Sequence, residues 1–253
     1  MSRIDFDRVY CLFEQSGTFK NVFLEKGYKA YDVDIMNEFG QTDYNVDLFK
    51  AINDYRLGGA SFFRGIGGKP LFLAFFPCTY FSQFNLLFLR GSSGFKDGWD
   101  AIRYMGERME IMVYFFVTLR CLIQLCLDCD YALIIENPYH ESLLRMFMRK
   151  PDVVDYCRHW HGDVMKKPTG YWFYNCEPAA SDWFFSNKRA SIEVTVDDVP
   201  HYHNSQSAMI KRSMIHPDYA RHFVECFILG EKKHQQLSLD LKSWNDNLNF
   251  DEL

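Results

Sequence analysis

The sequence has no excess of positive charge: 28 Lys and Arg stand against 33 Asp and Glu, for a formal charge of −5. Nothing global therefore attracts a polyphosphate, and any nucleic-acid contact must come from a local basic patch. A long uninterrupted apolar run is also missing. The most apolar stretch, 111–127, is broken by Arg120 and Gln124 and preceded by Arg103, Glu107, Arg108 and Glu110. It is too short and too marked by charge to be read as a membrane span. Residues 1–7 carry charges of both signs and no apolar signal core, so export is not expected and the expected compartment is the cytoplasm. There is no internal repeat and no complete Gly-x-Gly-x-x-Gly fingerprint. The eight cysteines are scattered through the chain, so reduced thiols are expected rather than a disulfide framework.

What is present is a rich apolar inventory. Of 253 residues, 48% are apolar and 17% aromatic, with 24 Phe and 15 Tyr. That composition excludes general disorder and suffices for one domain with a sizeable core. Three stretches divide it: a core over 1–149, an aromatic, His-rich, substrate-facing region over 150–206 without a clean period, and a helix with a polar tail over 207–253.

The core alternates strands and helices. Arg8 to Phe13 is β-prone, Gln15-Ser16-Gly17-Thr18 is turn chemistry, and Phe19 to Lys26 reads as a helix with Phe19, Val22 and Phe23 on one face, closed by Gly27. Tyr28 to Ile35 is a second strand carrying Asp32 and Asp34. Leu71 to Phe76 is nearly continuous in large apolar residues, as a strand buried on both faces of a parallel sheet should be. It ends at Pro77-Cys78-Thr79. A long helix is predicted from Trp99 to about Cys129, with Tyr114, Phe115, Phe116, Leu119, Leu122, Ile123 and Leu127 on its core face. Tyr131 to Ile135 is a further buried strand ending in Glu136-Asn137-Pro138, and Pro217 is expected to break the last helix. The pattern is α/β: a doubly wound, mostly parallel, Rossmann-like sheet with ligands along the C-terminal edge of its strands.

Cys78 falls where a buried strand meets a loop. Such a cysteine can be reactive, while the bland alternative is a small buried apolar residue. Glu136, on the same edge, is either a general acid or the N-cap of a following helix. Gly17 permits close backbone approach to a ligand, Phe13 can stack on a purine, and Asp34 can accept from ribose hydroxyls. Cys157, His159, His161 and Cys176 can be assembled on paper into a zinc site, with His159 and His161 on one side of an extended segment. No second close cysteine pair supports it, and no metal is expected.

In this order the motifs Leu12-Phe13-Glu14-Gln15-Ser16-Gly17-Thr18-Phe19, Val33-Asp34-Ile35, Val46-Asp47-Leu48, Phe76-Pro77-Cys78-Thr79 and Ile135-Glu136-Asn137-Pro138 resemble the DNA cytosine-5 methyltransferases. The likeness is greatest to the short phage-type branch, in which a Lys-Pro-Thr segment follows. Lys167-Pro168-Thr169 and the aromatic run Tyr171 to Tyr174 match that segment, and the resemblance covers roughly residues 8–178.

The resemblance implies a methyltransferase fold with S-adenosylmethionine over Phe13, Gly17 and Thr18. Asp34 would meet the ribose and Asp47 the adenine amine, with Ile35 and Pro77 completing the cofactor contacts. Cys78 would be the nucleophile that adds to carbon 6 of a cytosine, and Glu136 the acid at the ring nitrogen. The enamine so formed would attack the methyl group. Thr79, Asn137, Arg158 and Lys167 would contact the substrate, a base flipped out of its strand.

Three departures accompany the likeness. Gln15 stands where the family has glycine, Glu-Asn-Pro replaces Glu-Asn-Val, and the Gln-x-Arg-x-Arg segment is reduced to Cys157-Arg158-His159-Trp160-His161. About 75 residues follow Asn175, with few basic ones beyond Lys188, Arg189, Lys211 and Arg212. The target-recognition region is therefore reduced: the expected partner is DNA with a short or single-stranded target, or a protein that supplies recognition, and no membrane. The alternative is a methyltransferase-like binding or interaction protein without turnover.

Overall fold

The computed structural model describes residues 4–78, 81, 98–139, 144–165, 167–179 and 214–231. Seven strands make one sheet: β1 (Arg8–Leu12), β2 (Lys29–Asp34), β3 (Tyr44–Asn45), β4 (Pro70–Phe75), β5 (Ala132–Pro138), β6 (Val153–Asp155) and β7 (Thr169–Tyr174). Their spatial order is β3-β2-β1-β4-β5-β7-β6. The strands from β3 to β5 pair in parallel, and β7 runs antiparallel to both β5 and β6. The result is an α/β fold with a mostly parallel mixed sheet, compatible with a Rossmann-like arrangement.

Helices cover both faces, which is why β1 and β4 read as continuous apolar runs. Leu71, Phe72, Leu73 and Ala74 are all fully buried. On one face lie α1 (Thr18–Glu25) and α5 (Pro217–Phe223), the latter running into a π-helical turn, Val224–Ile228. Phe19, Phe23, Tyr171, Phe223 and Phe227 fill that layer. On the other lie α2 (Leu48–Arg56), the 3₁₀ turn Phe62–Gly65 and α3 (Gly98–Asp128), packed through Leu48, Ile52, Phe63, Phe72, Leu119 and Leu122. A single turn, α4 (Leu144–Phe147), follows β5.

Helix α1 buries Phe19, Val22 and Phe23 at the spacing the sequence indicates, and Gly27 closes it with φ 81°. Other expectations need correction. The strand that was to stop at Ile135 continues through Glu136, Asn137 and Pro138, because β7 supplies an antiparallel partner as far as Thr169. Pro217 does not break a helix but starts one, behind the His216 cap, where its missing N–H costs nothing. In α3 only Thr118, Leu119, Leu122, Leu125 and Cys126 are buried, so Tyr114 at 47% and Leu127 at 43% exposed are not core. That helix is long and apolar enough by composition to cross a membrane, yet its C-terminal half is a layer of this α/β core. His159 and His161 lie in a 3₁₀ turn, Arg158–His161, and not in an extended segment. Among the described residues no three His, Cys, Asp or Glu are grouped to hold a metal. His201, His203, Lys188, Arg189, Lys211, Arg212 and the tail lie outside the described residues.

Candidate functional site

The residues of interest lie along the C-terminal edge of β1, β2, β4 and β5. At the end of β1 the chain turns at Phe13, whose φ of 59° puts a non-glycine residue in the left-handed region. Its N–H donates to the Val33 carbonyl at 2.9 Å, and its ring meets Phe76 and Phe49 edge-on at 5.1 and 5.5 Å. The ring is therefore held against the end of β4 and stays half-buried.

The following loop is tied internally. The Ser16 N–H donates to Glu14 Oε1 at 2.8 Å, and Ser16 Oγ lies 2.6 Å from Thr18 Oγ1. Gln15 Oε1 accepts from the Glu38 N–H at 2.9 Å, joining this loop to the one after β2. Gly17 caps α1 with φ 76°, and a Cβ there would approach Asn21 Nδ2 and Gln41 Oε1 to 3.0 Å. The left-handed φ favours glycine, whereas the Asn21 and Gln41 side-chain ends could shift to admit a Cβ.

Beneath Gly17 sits an acid that the sequence marked only by its place in a strand. Asp32 is fully buried, and its Oδ2 accepts from the Gly17 N–H at 2.8 Å. Burial, reinforced by Glu14, pushes its carboxyl up to about 8, against the opposing effects of Lys20 and the Gly17 amide. Lys20 directs its ammonium to the Gln41 carbonyl and to Asp43, 3.0 Å away. Glu14 is also raised, by burial first and by Asp34 and Glu136 among its neighbours.

Asp34 closes β2 and accepts from the Met36 N–H at 2.7 Å, with burial raising its pKa. Ile35 beside it is 59% exposed and lies open at the edge. Asp47 is the N-cap of α2, accepting from the Lys50 N–H at 3.0 Å, and is exposed. A cap is the structural reason for an acid there, a role its place in the motif did not reveal.

Two strands away, Phe75 on β4 pairs with Glu136 on β5, and Cys78 follows three residues after Phe75. Pro77 and Cys78 are half-buried, and the Cys78 carbonyl accepts from the Phe81 N–H at 2.9 Å. Thr79 lies outside the described residues. Asn137 is fully buried, and its Nδ2 donates to the Phe76 carbonyl at 3.0 Å. It therefore couples β5 to the backbone that carries Cys78.

Glu136 is 7% exposed and sits inside a strand, which removes the helix-cap explanation for it. Arg158, 1% exposed, points one guanidinium nitrogen at Glu136 Oε1 from 3.8 Å and the other at Asp163 Oδ2 from 2.5 Å. Burial works against its charge, but Asp163 and Glu136 outweigh it and hold the pKa above the ordinary arginine value. The guanidinium also lies 5.4 Å from the Tyr219 ring, and the Tyr219 and Tyr171 hydroxyls are hydrogen-bonded at 2.9 Å. Lys167 is half-buried just before β7. Arg158 thus faces Glu136 from inside the protein, while Asp163 and the tyrosine pair had no local sequence signal. Neither models of protein families nor curated proteins match the chain.

One edge thus brings together a thiol, a buried carboxylate with its arginine, and a glycine-capped helix start beside a strand-terminal aspartate. Such an edge can bind a nucleoside-like ligand at β1–β2 and place its reactive end near β4–β5.

Proposed function

We propose that the chain is an S-adenosylmethionine-dependent methyltransferase that methylates carbon 5 of cytosine in DNA through a covalent cysteine–cytosine intermediate. The observation that carries this reading is the pairing of adjacent strand ends: Cys78 follows β4, Glu136 lies opposite Phe75 on β5, and Asn137 ties the two together. The sheet adds support. Its order is the doubly wound 3-2-1-4-5-6 with one antiparallel strand inserted between the last two, and the motif resemblance implies a methyltransferase fold. A cytoplasmic setting, where thiols stay reduced, suits a cysteine nucleophile.

The residues at β1–β2 fit the cofactor. Phe13, Gly17, Thr18, Asp34 and Ile35 would hold it, because the left-handed Gly17 opens the start of α1 and Asp34 sits at the strand end beside an exposed apolar residue. When bound, S-adenosylmethionine supplies an electrophilic methyl group. Cys78 as thiolate forms a bond to carbon 6 of the cytosine, and Glu136 gives its proton to the ring nitrogen, so no negative charge accumulates on the base. Carbon 5 thereby becomes nucleophilic. Methyl transfer to carbon 5 would release the cofactor as its thioether; the carbon-5 proton then passes to water, its bonding pair expels Cys78 as thiolate, and the ring nitrogen returns its proton to Glu136.

The test is adduct trapping. Single-stranded and duplex oligonucleotides containing 5-fluorocytosine are incubated with protein and cofactor, and the intact mass is read. A covalent adduct with the wild type and none with Cys78→Ser is expected. A folded, cofactor-binding protein that yields neither adduct nor label transfer on either substrate would sink the reading. It would favour the second one, a cofactor-binding interaction protein, in which Gln15 stands where the family has glycine.

A further inference from the structure

Arg158 and Asp163 are buried beside Glu136, at 1% and 0% exposed. The Arg158 guanidinium faces Asp163, Glu136 and the Tyr219 ring and donates to the Met214 carbonyl at 3.4 Å, and Asp163 is the more rigidly built of the two. Its N–H donates to the Arg158 carbonyl at 3.1 Å, its Oδ1 accepts from the Met165 N–H at 3.1 Å, and its carbonyl meets His159 Nδ1 at 2.9 Å. The preceding Gly162, φ 106°, presses so closely on α5 that a Cβ would come within 3.2 Å of Asp218 and Tyr219 backbone. Asp163 is thus anchored by its own turn, and Arg158 is anchored by Asp163.

We propose that Asp163 is a positioning residue: it fixes the Arg158 guanidinium beside Glu136 and offsets its charge, so that Glu136 can carry a proton at the moment of base attack. This rests on the methyltransferase reading above. The reasoning is one of charge. A single cation lies between two buried carboxylates, so a proton on Glu136 leaves a neutral Arg158–Asp163 pair. Without the Asp163 charge, Arg158 would be a buried cation whose remaining carboxylate neighbour is Glu136, and it would oppose protonation there. Among the described residues, the other ionisable groups of this region are Tyr171 from β7, Glu14 from the loop after β1, Tyr219 of α5 facing Arg158, Cys78 following the adjacent β4, and Asp155 of β6, which acts on both tyrosines and pairs with His161 at 3.1 Å. Of these only Arg158 is a permanent cation, and it alone is in ion-pair range of Glu136, so the Arg158–Asp163 balance acts on Glu136 most directly.

The experiment is the pH profile of single-turnover methyl transfer for wild type, Asp163→Asn, Asp163→Glu and Arg158→Gln with and without Asp163→Asn. For Asp163→Asn the alkaline limb should move to lower pH by about one unit, with turnover at pH 8 falling about tenfold and cofactor affinity unchanged. Asp163→Glu should recover most of this, and adding Asp163→Asn to Arg158→Gln should change nothing further. An unshifted profile in Asp163→Asn overturns the proposal, and so does a variant that loses fold and cofactor binding together with turnover, since Asp163 would then be structural only. Failure of the wild type itself to form an adduct would instead overturn the underlying methyltransferase reading.

Discussion

Asp32, beneath the β1 loop, and Asp163, beneath β5, are equally and fully buried, yet they meet opposite surroundings. Asp163 has the Arg158 guanidinium at 2.5 Å. Asp32 has a single amide, from Gly17, while the nearby Lys20 spends its charge on Asp43. The first solution keeps charge inside by pairing it; the second makes the acid take up a proton. The difference maps onto the two ends of the C-terminal sheet edge: the β1–β2 end rests on a protonatable support, the β4–β5 end on a buried ion pair.

The comparison breaks most visibly at Arg158. Replacing it by methionine strands Glu136 and Asp163 without a cation, and about 3–5 kcal/mol of stability at pH 7 should be lost in urea titration. A cost below about 1 kcal/mol would mean that both carboxylates find other partners and that the two ends are not different in kind.

Asp32→Asn sharpens the contrast from the other side. The folded carboxyl titrates at about 8, above its ordinary value of 3.8. Folding therefore binds a proton between those values, and the stability this gives is full below the ordinary value and lost as pH rises through about 8. Asparagine retains the acceptor for Gly17 and removes the titration. Relative to wild type, the variant should gain about 4 kcal/mol on going from pH 5 to pH 9. Melting curves across that range that stay parallel would show that Asp32 ionises without penalty.

Gly17→Ala probes the joint between this acid and the start of α1. A side chain at φ 76°, pressed to 3.0 Å from Asn21 and Gln41, should cost about 1–2 kcal/mol and weaken S-adenosylmethionine binding in calorimetry. Unchanged affinity with lost stability would separate the turn from the ligand site.

Legibility followed the range of the interactions. β1, β4 and α1 could be read directly, because parallel strands buried on both faces are continuous apolar runs and Gly27 punctuates the helix. The edge that gathers Phe13, Gly17, Asp34, Cys78 and Glu136 followed from strand alternation alone. What could not be read depends on distant partners. Glu136–Pro138 stays extended because β7 pairs with it, more than thirty residues later. Arg158, which the resemblance makes a substrate contact, is 1% exposed and has the Tyr219 ring of α5 5.4 Å from its guanidinium, a packing relation with no local trace. The outer half of α3 has the apolar content of a core helix, and composition alone does not show which turns lie on the sheet.

Asp47 supplies the exposed reference against which both buried acids can be judged. It sits in solvent, and its visible task is to cap α2 through Lys50. Asp47→Ala should cost about 1 kcal/mol, and Asp47→Ser, which can still cap, should restore most of it. If the aspartate also meets the cofactor's adenine amine, serine will recover stability but not affinity, because a hydroxyl on a shorter arm replaces the carboxylate. Measuring melting and S-adenosylmethionine binding on the same two variants therefore splits cap from contact. Recovery of both by serine would leave Asp34 as the acid that holds the nucleoside, and loss of both in serine would mean that the start of α2 and the adenine site are one unit.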